Sequence, residues 1–381
     1  MTEPTIIVGA GSAGCVLANR LSARDRRVVL VEAGPDYFPD PPPADLRRGD
    51  RNSLTAHDWG YAHRPTDDHM LPYPFPRGRV VGGSSAVNTC IALRGQPADY
   101  DEWADRGLDG WSWEECLPAF RRLETDLDID DEWHGDDGPL PLRRHTPEEY
   151  HPWQAAFVEA CREVGYEECP DTNRPGAAGV GPHAMNKIEG RRISAADAWL
   201  RPEIRGRRNL EIRDRTLVRR VLFEGERAVG VEVESGGAIQ QLSADRVILA
   251  AGAIDTPGIL LRSGVGPADD LDRLGVEEVA ENPNVGRQLL DHPGCALFLL
   301  PRFGTQTSRD HALIQTVCRF GSGFNDLPND MLMQPGSLVP TPHLELPLVS
   351  IMVALGKPKG AGQLHWPSAD PHARPEIRSR L

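Results

Sequence analysis

Three glycines near the start of the chain, Gly9, Gly11 and Gly14, have the spacing of a turn that binds phosphate. They follow the β-branched run TIIV at 5–8, which is typical of a buried parallel strand, and a helical pattern begins directly after them. The first glycine permits a tight turn, the second lets the backbone approach a pyrophosphate, and the third lets the helix pack on the sheet. The free N–H groups at the start of that helix would face the phosphates. These residues predict a dinucleotide-binding unit.

An acid at the end of the next apolar run supports this interpretation. The run RVVLV at 27–31 ends at Glu32, eighteen residues after Gly14, where a carboxylate would accept hydrogen bonds from a ribose diol. Such a glycine pattern alone also occurs by chance, and the alternative is an ordinary strand–turn–helix connection. Because the strand, the helix and the acid agree, the sequence favours the dinucleotide.

A second glycine-rich stretch, GRVVGGSSAVNTCIA at 78–92, carries paired glycines followed by small hydroxyl residues. Such a backbone can lie flat against a ligand with its N–H groups turned toward it. On these residues alone, the stretch is either a second phosphate cradle or a tight strand-to-helix turn.

The same stretch resembles the first signature of the glucose–methanol–choline (GMC) family of FAD-dependent oxidoreductases, from Gly78 through Asn88 to Asp101. The following segment, 94–113, is similar to the choline-dehydrogenase-like branch. Further matching segments lie at 190–200, at 252–266, which resembles the second signature, and at 284–293. The resemblance covers the chain from Thr5 to about Pro293.

The resemblance implies FAD as the cofactor. It is expected to bind non-covalently, because Val87 stands nearest to the position where some members carry the histidine that attaches FAD. By the same resemblance, residues 88–92 meet the reactive N5 edge of the flavin and the backbone of Val218 meets the adenine. The expected cofactor-binding residues are Gly9, Gly11, Ser12, Ala13, Gly14, Glu32, Ala33, Trp59, Arg79, Val81, Gly82, Ser85, Asn88, Thr89, Cys90, Ile91, Val218, Ala250 and Gly252.

The expected fold class is α/β. It comprises a Rossmann-type FAD-binding domain with a β-meander in the alternating stretch 210–233, and an incomplete α+β substrate domain with an antiparallel sheet. Residues 1–295 are expected to form the FAD-binding region, with a substrate-domain insertion around 150–190, and residues 296–381 the incomplete substrate domain. The clearest strands of that domain are predicted at 295–300 and 346–355.

Four local patterns carry predictions of their own. Ser112 is a plausible N-cap for a helix ending at 123, and Thr256-Pro257 is expected to begin another. The helical stretch 152–165 is expected to bury Phe157, Val158, Cys161 and Val164. The acidic run at 126–137 lacks the ligand spacing of a calcium loop, so we expect a solvated loop and no metal site.

The resemblance implies oxidation of an alcohol to a carbonyl, with hydride transfer to flavin N5. Complete members are longer than this chain, and the additional segment carries their catalytic histidine, so we expect a C-terminally truncated chain without a catalytic residue of its own. His292, beside Asp291, is not expected to be catalytic. An inactive or partner-dependent FAD-binding fragment is the alternative, and a GMC hydroxynitrile lyase fits the choline-dehydrogenase-like segment less well.

Composition restricts the partners. The formal charge of −14, from 42 basic and 56 acidic residues, argues against nucleic acid and anionic membrane surfaces. The 7 cysteines are scattered without a CxxC pair, which favours a reducing, cytoplasmic location. No apolar run approaches membrane-spanning length. We expect a small-molecule alcohol as the substrate, with oxygen, a quinone or a redox protein as the electron acceptor.

Overall fold

A computed structural model describes residues 3–54, 56–66, 68, 71–302, 312–339 and 346–380. Strands and α-helices are numbered separately in chain order. The helices are α1 (Ser12–Ser22), α2 (Ala44–Arg47), α3 (Pro97–Asp105), α4 (Trp113–Leu123), α5 (Pro152–Glu163), α6 (Ala195–Trp199), α7 (Pro202–Arg205), α8 (Gly252–Arg262) and α9 (Ala268–Leu274). None of the described helices is long and apolar enough to cross a membrane.

A parallel sheet forms the centre of the nucleotide-binding part. Its strands lie in the order β10 (Leu210–Arg213), β2 (Val28–Val31), β1 (Thr5–Val8) and β14 (Arg246–Leu249). Every residue of β1 and β2 is at most 4% exposed, since the sheet is covered on both faces. Continuous β-branched runs are the sequences that such two-sided burial selects. The Rossmann-type fold is therefore confirmed.

A β-meander covers one face of this sheet, as predicted, but it runs from 216 to 243 and not from 210 to 233, because residues 210–213 pair parallel with β2. It consists of β11 (Thr216–Glu224), β12 (Arg227–Ser235) and β13 (Ala238–Ser243), paired antiparallel. The first turn passes through Gly225, whose φ of +60° is a left-handed conformation that favours glycine. Val231 and Val233 are fully buried against β1 and β2, so the meander seals the face of the sheet that carries Ile6 and Val8.

A five-stranded antiparallel sheet forms the second layer. Its order is β17 (Gly294–Leu299), β20 (Val349–Leu355), β19 (Met331–Gly336), β18 (Thr316–Phe320) and β7 (Gly179–Pro182). The predicted antiparallel sheet is thus present. The early strand β7 joins the later strands, in line with the predicted insertion around 150–190, but the predicted domain boundaries remain predictions.

Smaller sheets complete the chain. One has the order β21 (Gln363–His365), β22 (Glu376–Arg378), β3 (Ala62–Arg64) and β4 (Tyr73–Pro74). Three are two-stranded and pair β5 (Glu124–Asp126) with β6 (Leu140–Leu142), β8 (Lys187–Ile188) with β9 (Arg191–Arg192), and β15 (Val265–Gly266) with β16 (Ala280–Glu281). Strand β22 lies parallel to β3 although more than 300 residues of chain separate them.

Two local predictions about helices need correction. Helix α8 begins at Gly252 and contains Pro257, so the Thr256-Pro257 pair lies in its first turns and does not start it. Pro257 is the sixth residue of α8, so it lies inside the helix and removes the backbone hydrogen bond that an N–H at this position would donate to the carbonyl of Ala253. Helix α5 ends at Glu163, and Val164 just beyond it is 74% exposed, whereas Phe157 and Cys161 are buried as predicted. Ser112 is confirmed as the N-cap of α4, in a capping box with Glu115.

The prediction of a solvated acidic loop is wrong for its most important members. Asp126 and His134 are buried, together with Glu124 from the start of β5. The imidazole lies 3.0 Å from Glu124, from Asp126 and from Asp171. Arg94 donates to Glu124 at 2.6 Å, and Arg144 bridges Asp126 and Asp171. Burial alone would lower the pKa of His134, but the hydrogen bonds to the carboxylates outweigh it and raise the pKa to about 11.

The cluster of Arg94, Glu124, Asp126, His134, Arg144 and Asp171 is therefore charge-balanced, with three carboxylates facing three cations. A local reading of the sequence could not find it, because its members come from segments up to 77 residues apart, from Arg94 to Asp171. Burying unpaired charge is costly, so the cluster is stable only while all its members are present.

This cluster predicts a pH-dependent stability. The folded protein holds the His134 proton up to about pH 11, whereas an unfolded histidine loses it near 6.5. Its contribution is complete below about pH 6.5 and is lost as the pH rises toward about 11. In urea unfolding at about pH 6, 8 and 10, His134→Gln should lower the free energy of unfolding by about 3–5 kcal/mol at the lowest pH and by less at the highest. A difference between the two proteins that does not shrink with pH would contradict the protonated state of His134.

Candidate functional site

A cavity of about 630 Å³ opens at the carboxyl ends of β1 and β14. Two helices begin at its wall, α1 with Ser12 and Ala13 and α8 with Gly252 and Ala253, and all four of these residues are exposed. The first N–H groups of a helix have no partner within it and carry partial positive charge. Two such helix starts in one cavity make it suited to an anionic ligand such as a pyrophosphate.

The three glycines of the first turn have different physical roles. Gly9 adopts φ +96°, which permits the sharp exit from β1. A Cβ on Gly14 would lie 1.8 Å from the carbonyl oxygen of Gly9, so this glycine lets α1 pack against the turn. A Cβ on Gly11 would meet only Gly83, at 3.9 Å, and would otherwise stand in the open cavity. Gly11 is therefore the glycine whose missing side chain leaves room for a ligand.

Glu32 lies at the carboxyl end of β2 and lines the same cavity. Its carboxylate accepts hydrogen bonds from the backbone N–H groups of Ala10 and Gly34, both at 2.9 Å. Burial nevertheless dominates and raises the pKa of Glu32 to about 7. A fixed carboxylate beside two helix N-termini is the arrangement that a ribose diol next to a pyrophosphate requires.

The same cavity is lined by Val218 on β11 and by Tyr61, Asp255 and Arg262, which were not among the expected cofactor residues. The Tyr61 hydroxyl donates to Asp255 at 2.6 Å, and Arg262, which also lines the cavity, donates to the carbonyl of Arg219. Burial raises the pKa of Asp255. Tyr61 lies two residues after the predicted Trp59 and stacks parallel to it, with ring centroids 6.0 Å apart. That two-residue spacing was the available sequence signal for Tyr61.

The second glycine-rich stretch packs directly on the first. Residues 83–86 form a 3₁₀ turn, and the N–H of Gly82 donates to Ala10 at 2.8 Å. A Cβ on Gly83 would lie 2.6 Å from the Cα of Gly11, so the two turns touch backbone to backbone. The stretch is therefore a tight turn into a 3₁₀ helix, and Gly83, Ser84, Ser85 and Asn88 line the two cavities. That it cradles a phosphate remains a prediction.

A second cavity of about 320 Å³ shares Ser12 with the first. Among its lining residues are Ser85, Asn88 and Ile91 from the second stretch, the apolar side chains of Val16 and Trp199, and charged and polar residues that include Arg94, Glu124, Asn173 and Asn186. The two cavities adjoin at Ser12, the first residue of α1. No described histidine lines either cavity.

The structure brings most of the expected cofactor residues to these walls. The first cavity is lined by Gly9, Gly11, Ser12, Ala13, Glu32, Ala33, Trp59, Val218, Ala250 and Gly252, and the second by Ser12, Ser85, Asn88 and Ile91. The remaining expected residues, Gly14, Arg79, Val81, Gly82, Thr89 and Cys90, do not line either cavity. Arg79 is exposed and places its guanidinium 4.9 Å from the ring centre of Trp59, whereas Cys90 is fully buried. Which of these residues contact a cofactor remains a prediction.

One further group has the composition of a metal site. Glu124, Asp126 and His134 offer ligand atoms within 4.8 Å of one another. In this arrangement both imidazole nitrogens already face carboxylates, and Arg94 and Arg144 compensate the acids. A metal ligand needs an unprotonated nitrogen, which the raised pKa of His134 opposes. The group is better explained as an ion cluster that stabilises the fold.

A dinucleotide site on a parallel Rossmann-type sheet, beside an antiparallel sheet, is typical of proteins that use a nucleotide cofactor. Residues 4–294 match the GMC oxidoreductase family, and the chain belongs to that family. GMC oxidoreductases are FAD-dependent flavoproteins. The cavities fit this cofactor, with two helix starts for the pyrophosphate, Glu32 for a ribose and a second chamber beyond Ser12 for the flavin.

Several known proteins are similar to this chain in sequence or structure. It is 35% identical to a 5-(hydroxymethyl)furfural oxidase from a Methylovorus species, over 99% of this chain and 73% of that protein. It is 40% identical to an oxygen-dependent choline dehydrogenase from Photobacterium profundum, over 76% of this chain and 52% of that one. The crystal structure of a pyridoxine 4-oxidase from Mesorbium loti superposes with a TM-score of 0.90 at 30% identity, over 100% of this chain and 76% of its own. The matches to choline dehydrogenases thus span about half the length of those relatives.

The glycines of the first turn allow a matched test. Gly11→Ala should leave the thermal unfolding of the ligand-free protein almost unchanged, because its methyl group enters open space, but it should weaken FAD binding by about tenfold or more. Gly14→Ala should instead destabilise the fold itself, because its methyl group collides with the Gly9 carbonyl. Calorimetry and FAD titration of both variants measure the contrast. A Gly11→Ala protein that retains full FAD affinity would contradict the assigned cradle.

Glu32 predicts how FAD affinity depends on pH. Because its pKa is raised from the ordinary value of 4.5 to about 7, the ligand-free protein loses stability as the pH rises from about 4.5 to about 7. A ribose diol, in contrast, donates to the ionised carboxylate. FAD binding should therefore release a proton below about pH 7, and affinity should rise with pH up to that value and then level off. Titrations between about pH 5.5 and 8.5 should show this slope in the wild type and none in Glu32→Gln, which should bind more weakly throughout. Equal slopes in the two proteins would refute the role of Glu32.

Proposed function

We propose that this protein takes part in FAD-dependent oxidation of a small-molecule alcohol to a carbonyl compound. The observation that supports the proposal is that two cavities adjoin at Ser12, one lined by Glu32 and Val218 and the other by Asn88. When bound, the flavin supplies the redox chemistry by accepting a hydride from the alcohol carbon at its N5 atom.

The residues of this chain have three tasks in that reaction. The N–H groups at the starts of α1 and α8 hold the phosphates, and Glu32 accepts hydrogen bonds from a ribose. Val16, Leu140 and Trp199 give the second chamber an apolar wall, which excludes water from a bound ring system. Val87, a side chain that cannot form a covalent link, is buried at the position expected for flavin attachment, so we propose non-covalent FAD.

The relatives support the substrate class and the acceptor. Choline, 5-(hydroxymethyl)furfural and pyridoxine appear in the names of the three relatives described above, and each of these three is named either oxygen-dependent or an oxidase. We therefore propose these three alcohols as the first substrates to test and oxygen as the first acceptor. The absence of disulfides among the seven free cysteines is in line with a reducing, cytoplasmic environment, which we propose as the location.

A partner-dependent FAD-binding unit is the alternative, and the edge strand β17 favours it. All six of its residues are exposed, and Leu297 and Phe298 show 67% and 57% of their surface to solvent. An exposed apolar edge strand is an unusual feature that can pair with a further strand. In this alternative, the chain binds FAD but needs a second polypeptide at β17 for turnover.

An anaerobic reduction experiment separates the two functions. The purified 381-residue chain is saturated with FAD and desalted, and each of the three alcohols is then added without oxygen. We expect retained flavin absorption and bleaching by at least one alcohol. Retained absorption without bleaching would support the partner-dependent unit, and loss of the flavin on desalting would overturn both. Gly11→Ala serves as the control that should retain less flavin than the wild type after desalting.

A further inference from the structure

Arg192 is a fully buried cation without a carboxylate partner. It is 1% exposed, lies in β9, and no carboxylate of the described residues is within ion-pair distance of its guanidinium. Its N–H groups instead donate to the backbone carbonyls of Leu46, Arg48 and Arg51 at 2.8–3.1 Å. A guanidinium stays charged under all ordinary conditions, so these carbonyls must compensate its lost hydration.

The remaining contacts of Arg192 reach the turn that lines the second cavity. One of its terminal nitrogens donates to the Asn88 carbonyl at 2.5 Å, to the Asn88 side-chain oxygen at 3.0 Å, and to the Cys90 sulfur at 3.2 Å. The Asn88 side-chain oxygen also accepts the Cys90 N–H at 3.0 Å. Cys90 has φ +63°, a conformation that an L-residue adopts only when its surroundings enforce it. Arg192 therefore contacts the strained residue itself and Asn88, two residues before it.

These contacts determine which end of the Asn88 amide faces the cavity. Arginine and a backbone N–H are donors only, so the atom that they both contact must be the amide oxygen. The amide NH₂ group is then left on the other side. It has no hydrogen-bond partner among the described residues, and Asn88 is exposed and lines the second cavity. The orientation follows from chemistry, without the usual ambiguity of asparagine side chains.

We propose that Arg192 is a positioning residue that presents the Asn88 NH₂ group as a hydrogen-bond donor to an acceptor atom of the bound flavin. This inference rests on the proposed function, since it requires FAD in the two cavities. Arg192 does not touch the ligand. It acts through Asn88, by occupying the amide oxygen and by holding the turn at Cys90.

The test compares two single variants, their double variant and a matched surface control. Arg192→Lys keeps the charge, but its ammonium group cannot reach all the acceptors that the planar guanidinium of Arg192 contacts. Asn88→Asp keeps the accepting oxygen but removes the NH₂ donor. Arg191→Lys makes the same change one residue earlier, at a side chain that is 60% exposed. Each protein is checked by circular dichroism, and its FAD dissociation constant and the shape of the bound flavin's absorption band are measured.

We expect Arg192→Lys and Asn88→Asp each to weaken FAD binding by about tenfold, the effect of one hydrogen bond, and to alter the flavin band. The double variant should bind about as weakly as the weaker single variant, because both changes remove the same interaction. Arg191→Lys should match the wild type.

The inference is overturned if Arg192→Lys binds FAD like Arg191→Lys, or if the two losses multiply in the double variant. If Arg192→Lys does not fold, Asn88→Asp alone tests the inference, because it leaves Arg192 hydrogen-bonded. Unchanged FAD affinity and an unchanged flavin band in Asn88→Asp would then reject the donor role. A wild-type chain that fails to bind FAD would instead overturn the proposed function, so the two failures are distinguishable.

Discussion

Contact between backbones, without side chains in between, is the constraint on which the site depends. Gly14 lies against the carbonyl of Gly9, Gly83 against the Cα of Gly11, and Gly9 against the carbonyl of Ala250. These three contacts join the turn after β1, the 3₁₀ turn at 83–86 and the end of β14 into one unit. A single methyl group at Gly9, Gly14 or Gly83 would come within 2.6 Å or less of a neighbouring backbone atom. The starts of α1 and α8 share a cavity wall because these turns are packed so closely.

Buried charge is compensated in two different ways around this unit. In the cluster of Arg94, Glu124, Asp126, His134, Arg144 and Asp171 the compensation is ionic, since three acids and three bases touch one another. At Arg192 it comes from neutral carbonyl dipoles of several loops. An ion cluster forms only where the chain supplies opposite charges. A guanidinium that donates to backbone carbonyls also fixes the path of each loop that supplies a carbonyl. The second arrangement suits a position that must hold a strained turn in place.

Local signals were sufficient wherever a single segment determines its own structure. The β-branched runs at β1 and β2, the capping box of Ser112 and the glycine turns each depend on residues close in sequence, and the structure shows these features as predicted. Most of the cofactor residues that the family signatures led us to expect line the two cavities. The helix start at Gly252 was missed because Thr256-Pro257 is a strong local start signal. The carboxyl end of β14 nonetheless lets the helix begin four residues earlier.

Residue types at short spacing were enough to predict the parallel sheet, the dinucleotide turn and the family. Packing of the layers established which groups face one another across the chain: His134 with Asp171, Tyr61 with Asp255, and Arg192 with Asn88. These pairs are separated by 37, 194 and 104 residues. Periodicity and capping act within a few turns of one element, whereas pairing at such distances depends on how whole elements are placed in the fold. The local composition of the acidic run therefore predicts a solvated loop, and tertiary contacts bury part of it.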